Sequence, residues 1–171
     1  YPNVTVTISG TGTATNLATL IKGITYKSGS DNPSTTARTV SIVVKDADVA
    51  CAGSGNTTIS ITGTNDCPTL SNASNFATSY TENGANTSIV NSTFAIVDAD
   101  LATASTTQAW TATVQLTNGV SLDSLLVPAS ANGFTVATPV YAYPNVTVSI
   151  TGTGTASNLA NLVKAITFKL N

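Results

Sequence analysis

Apolar and polar positions alternate with a period of two along much of this chain. Val4, Val6 and Ile8 fall on one face of an extended segment, with Thr5 and Thr7 on the other. Val40, Ile42 and Val44 alternate in the same way with Ser41, Val43 and Lys45, and Thr57, Ile59 and Ile61 with Thr58, Ser60 and Thr62. Trp110, Ala112, Val114 and Leu116 alternate with Thr111, Thr113 and Gln115, which assigns Trp110 to a core. Successive side chains of a strand point to opposite faces, so this pattern in β-branched residues predicts half-buried strands. Gly and Asn punctuate the runs, as Gly-Ser-Gly-Asn at 53–56 and as Asn-Gly at 83–84, 118–119 and 132–133. The spacing predicts an all-β chain arranged as a β-sandwich. One stretch breaks the alternation. In residues 15–25, Leu17, Leu20, Ile21 and Ile24 recur at three and four residues, which predicts one short helix capped by Thr15 or Asn16. Its apolar stripe is expected to pack across an end of the sandwich.

The helix has a copy. Residues 143–169 repeat residues 1–27 at an offset of 142, with 20 of the 27 positions identical. The seven differences include Thr7/Ser149, Ile21/Val163 and Tyr26/Phe168, and the second helix is expected from Ser157 to Ala165. A 142-residue period is far longer than the roughly 20–50 residues of solenoids and propeller blades. Each unit is large enough to carry its own core. The repetition points to a tandem array, or to subunits cut out of register with their own domains. Both favour extension and assembly over catalysis.

Composition narrows the field further. Of the 171 residues, 42% are hydrophobic but only 8% are charged, against about 25% in ordinary globular proteins. Thr, Ser, Asn and Gly are expected to cover the surface, as in a secreted structural protein. Six basic residues and a net charge of −2 provide no basic stripe, so nucleic acid is a poor partner. No run approaches the ~18 apolar residues of a spanning helix, so no membrane insertion is expected. The chain has no His, which removes Ser-His-Asp and Cys-His catalysis. Glu82 is the sole glutamate, and Asp98 and Asp100 are too close in sequence for paired-carboxylate hydrolysis. The Gly-x-Gly within residues 7–16 has neither a Lys nor a third glycine in place for phosphate binding. No enzyme is expected. Sequons at Asn3, Asn56, Asn72, Asn86, Asn91 and Asn145 permit glycosylation where the machinery exists.

Order and spacing of several motifs bring in a resemblance. Residues 38–70 read as strand, acidic loop, strand, then Asn65-Asp66-Cys67-Pro68. This resembles the close of a bacterial cadherin-like repeat of large secreted adhesins, in which a last strand leads into Asn-Asp-Ala-Pro. Residues 30–44 and the helix before them resemble the same pattern. Tyr80-Thr81-Glu82-Asn83-Gly84 resembles the glutamate motif of the first strand, and Phe94 to Asp100 the Asp-Ala-Asp motif after it. The resemblance spans most of the chain. It implies a cadherin- or immunoglobulin-like β-sandwich with a unit boundary near residue 66. Residues 1–66 would then be the C-terminal half of one unit, and residues 67–171 the N-terminal part of the next, without its last strands. Flanking repeats would supply those strands in an array, or a neighbouring subunit would donate them head to tail. The expected work is mechanical, in an extracellular filament or cell-surface adhesin. A carbohydrate-binding module is the alternative, with a surface glycan as partner.

Six of the eight acidic residues occupy motif positions: Asp46, Asp48, Asp66, Glu82, Asp98 and Asp100. Ca²⁺ takes six to eight oxygens and would relieve the repulsion of so concentrated a charge. The alternative is that these are turn formers bonded to local backbone. The resemblance places calcium between successive units. Asn65 and Asp66 would be linker ligands, Asp98 and Asp100 would come from the top of the following unit, and Asp46 and Asp48 would meet the preceding linker. Glu82 would face the joint with the next unit. Few of these ligands would converge within one copy. Cys51 and Cys67 suggest a disulfide in an extracellular chain. The intervening strand of about ten residues, roughly 33 Å long, separates them within one unit. In the register the resemblance implies, Cys67 would pair with Cys51 of the following repeat or subunit.

Overall fold

The computed structural model describes residues 3–47, 51–74 and 76–170. They form mostly β-strands in several antiparallel sheets, with two short helices. Two compact units are present, Tyr1–Ser30 and Asp31–Asn171. The repeat boundary expected near residue 66 concerns sequence units and is distinct from this division.

The first unit contains helix α1 (Ala14–Lys22). Its cap is Thr13, not Thr15 or Asn16. The Thr13 backbone is extended, and its hydroxyl accepts the Asn16 N–H at 3.2 Å, one of the orphan donors of the first turn. Lys22 sits in the last turn, where the helix dipole favours a cation. The apolar stripe of α1 is not fully buried: Leu17 and Ile21 are half-buried and Leu20 and Ile24 exposed. The strand expected over Val4–Ile8 does not form: residues 3–9 belong to no strand.

In the second unit, β1 (Arg38–Lys45) and β2 (Ala52–Ile59) pair antiparallel as a two-stranded sheet, with Arg38 opposite Ile59 and Lys45 opposite Ala52. The strand expected over 40–45 forms, whereas the one expected over 57–62 is shifted to Ala52–Ile59 and leaves Ile61 outside; Ile42 and Ile59 are only half-buried. Val40, Val43 and Val44 are exposed. Gly-Ser-Gly-Asn lies inside β2 rather than in a turn, with Gly53 and Gly55 opposite Val44 and Ile42. The ladder to the β-branched residues of β1 holds these glycines extended. Then follow β3 (Thr69–Ser71), β4 (Thr87–Ser88), β5 (Ala95–Val97), β6 (Gln108–Leu116), β7 (Asp123–Leu126), β8 (Phe134–Val136), β9 (Val140–Ala142), β10 (Asn145–Gly154), α2 (Ala156–Lys164) and β11 (Thr167–Leu170). The long β10 pairs with β6 on one side and with β8 and β9 on the other; β11 lies between β4 and β7; β3 pairs with β5. The three Asn-Gly pairs behave as turn residues, with Asn83, Asn118 and Asn132 at φ of 60°, 62° and 56°.

The core sits on β10 and α2. Val146, Val148 and Ile150 form the inward face of β10 and are fully buried among Trp110, Phe134, Leu159, Val163 and Ile166. Each such side chain contributes about 1.5–3 kcal/mol on burial. Trp110 is a core residue, as its strand position predicts, and its indole N–H donates to the Gly154 carbonyl at 3.0 Å. Helix α2 is capped by Thr155, whose hydroxyl accepts the Asn158 N–H at 3.1 Å, and it buries Leu159, Ala160, Leu162 and Val163. Gly154 and Gly152 permit close approach of β8. A methyl on Gly152 would lie 2.7 Å from Phe134 Cα, and one on Gly154 2.8 Å from the Asn132 carbonyl.

The duplicated sequence therefore occurs in two states. Val4, Val6 and Ile8 are 88%, 62% and 39% exposed, while their counterparts Val146, Val148 and Ile150 are each 0% exposed. Gly10 keeps φ +155°, close to the +153° of Gly152, yet neither Gly10 nor Gly12 has an atom within 4 Å of an added methyl. Helix and cap form in both copies because they depend on local bonds. The strand forms only in the second, because an extended backbone needs ladder partners, and only there do β6, β8 and β9 flank it.

Candidate functional site

Three features of the second unit carry chemistry or recognition. The first is an acidic corner after β5. Asp98 folds back on its own backbone, Oδ1 accepting the Asp100 N–H at 3.0 Å, while Oδ2 accepts Gln108 Nε2 at 2.9 Å. Asp100 Oδ2 accepts the Asp66 N–H, and the Asp100 carbonyl accepts Asn32 Nδ2. Asn65 Nδ2 donates to the Asp66 carbonyl at 3.2 Å. The fold thus brings together Asn65, Asp66, Asp98 and Asp100, residues 34 apart in sequence across the Asp66–Asp100 bond. Asn32 and Gln108 join them. Sequence alone gave no sign of either, since an Asn before a proline and a Gln opening a strand are ordinary there.

The carboxylates of Asp98 and Asp100 receive N–H donors, which is the geometry of turn formers. Asp46 and Glu82 are exposed on other segments, and Asp48 lies outside the described residues. Among the described residues, no three His, Cys, Asp or Glu side chains group as a metal-holding set. The described residues of one copy do not by themselves group the six to eight oxygens that calcium takes. Cys51 and Cys67 are both exposed free thiols.

The second feature is an apolar groove of ≈590 Å³ beside β6, with Leu70, Ile89, Val90, Phe94, Ile96 and Leu116 among its walls. It follows β6 from Ala112 to Leu116, and no charged residue among the described ones lines it. Among the described residues β6 ends its sheet, so one of its edges is unpaired there. Natural edge strands are commonly blunted by Lys, Pro or shortness. The nine residues QAWTATVQL have none of these devices.

The third feature is a pair of exposed tyrosines, Tyr141 and Tyr143, with ring centroids 6.1 Å apart. The Tyr143 hydroxyl donates to the Ser121 and Asp123 carbonyls at 3.1 and 3.0 Å. Lost solvation, then the neighbouring Tyr141 and Asp123, raise its pKa above the usual 10.0. The sequence pattern hid this pair, because nothing in it distinguishes an exposed Tyr on or just after a short strand from a buried one.

No helix among the described residues is long and apolar enough to cross a membrane. Comparison with protein-family models, with curated proteins and with solved structures finds no match to this chain.

Proposed function

We propose that this chain is a structural repeat of an extracellular filament or cell-surface adhesin, related to bacterial cadherin-like repeats, whose units join head to tail. The observation that carries this reading is the duplicated segment, buried as β10 in one copy and bare at residues 3–9 in the other. A sequence that keeps Val4, Val6 and Ile8 apolar while leaving them in water is built to be covered by another unit. A heterologous contact of that kind does not close on itself and propagates. Negative-stain electron microscopy of the native protein, with sedimentation over a range of concentrations, tests it. Strings of units or oligomers that grow with concentration are expected; compact monomers at every concentration overturn it.

Calcium at the joint belongs to the same reading, with ligands drawn from two units, since Asn65, Asp66, Asp98 and Asp100 form only part of a set in one copy. Isothermal titration of the assembled protein should show Ca²⁺ uptake, and its absence together with indifference of stability to EDTA removes the metal. A disulfide from Cys67 to Cys51 of the next unit fits the exposure of both thiols. On a non-reducing denaturing gel it gives a ladder that collapses with reductant, whereas a single monomer band rules out bonds between separate subunits. The Tyr141–Tyr143 pair favours a second reading, a carbohydrate-binding surface in which an apolar sugar face lies on exposed rings. Glycan binding that is lost in Tyr141→Ala, by a protein that remains monomeric, would make that reading the better one.

A further inference from the structure

We propose that the groove beside β6 receives the β1–β2 hairpin of a second copy of this chain. The proposal rests on the head-to-tail reading and names the contact that makes it.

The groove asks for a strand. Its walls are mostly apolar, with Thr78, Thr87 and Ser88 among them, and uncharged, and it runs along β6 where that strand ends its sheet. An unpaired edge bordered by side-chain pockets is the arrangement in which an added strand contributes backbone hydrogen bonds and alternate side chains fill the pockets. The hairpin matches it. β1 has eight residues against nine in β6, about 27 and 31 Å at ~3.4 Å per residue. β1 carries Val40, Ile42 and Val44 on one face, whereas β2 is AGSGNTTI, small and polar. β1 is therefore the strand to lie against β6, with β2 outside it. A two-stranded hairpin with its valines in water is marginal alone.

The chain's own hairpin is not the occupant. Hairpin and groove both belong to Asp31–Asn171, yet β1 and β2 form a sheet with each other alone, and no residue of either lines the groove. A second copy would bring its hairpin to this groove, and the next copy would repeat the contact.

Complementary variants of the full chain test this under reducing conditions, which removes any disulfide contribution. Val40→Asp/Val44→Asp spoils the exposed hairpin face and leaves the groove intact. Leu70→Arg spoils the groove wall at an exposed side chain and leaves the hairpin intact. Hydrogen exchange at Val146–Ile150 verifies that each variant folds. Light scattering after size exclusion should show wild-type oligomers that grow with concentration, monomers for either variant alone, and dimers that go no further for the equimolar mixture. If the hairpin variant assembles like wild type, head-to-tail joining stands but the hairpin is not its donor. Both variants monomeric with no dimer on mixing also overturns the pairing. Monomeric wild type with protected β1 amides would place the chain's own hairpin in its groove and overturn the second copy. Monomeric wild type with unprotected β1 amides would bring down the head-to-tail reading itself.

Discussion

Gly152 and Gly10 occupy equivalent positions of the duplicated segment, with nearly the same φ, in opposite surroundings. Alanine at 152 would drive its methyl into the Phe134 backbone of β8 and should cost about 1–3 kcal/mol, read as a lower urea midpoint. Alanine at 10 meets nothing, and its segment is free to relax, so it should change stability of the separate chain by less than about 0.5 kcal/mol. An equal effect at both positions would mean that residue 10 is packed in solution. The sequence made several residues legible one at a time. Asn83, Asn118 and Asn132 adopt positive φ because a short polar side chain tolerates it, and Trp110 is buried because its neighbours on β6 alternate. The helix cap lies two or three residues before the positions that the apolar period suggests. Thr13, Thr15 and Asn16 are all competent caps, and only the place where helical dihedrals begin decides among them.

At the scale of elements, periodicity identified β1, β6 and both helices, because each is specified by its own residues. It failed where an element depends on a partner. Residues 4–8 and 146–150 have almost the same pattern, and only the second is a strand. No reading of a pattern separates them, since the missing information is the presence of β6 and β8. Hydrogen exchange of the dilute chain should make the contrast visible. Amides of Val146–Thr151 should be protected to near the global stability, and those of Val4–Ser9 should exchange at close to unprotected rates. Slow exchange in both would mean that the first copy finds a partner before assembly. The acidic corner was legible in part. Proximity of Asp98 and Asp100 follows from two-residue spacing, but their meeting with Asp66 depends on how β5 is set against the residues before β3. Asn32 and Gln108 complete that corner through tertiary placement alone.

At the scale of the whole molecule, the low charge of the chain acquires a meaning. The core and the bare valines of β1 are apolar and the groove is uncharged, while Thr, Ser, Asn and Gly are abundant in the chain. Joining through an uncharged groove gains little from Coulomb attraction, so its strength should barely change between 50 mM and 500 mM NaCl, concentrations about which exposed ion pairs differ markedly in screening. The driving force is then loss of apolar surface from water, which is entropic near 25 °C and weakens on cooling. Sedimentation at 4 °C and at 30 °C should therefore show shorter assemblies in the cold, reversibly, and assemblies that shorten with salt instead would point to an ionic joint. The uncharged lining of the groove would in this way make temperature, and not ionic composition, the variable that governs how far such a fibre extends: a material that tolerates changes from fresh to salt water but softens as it chills.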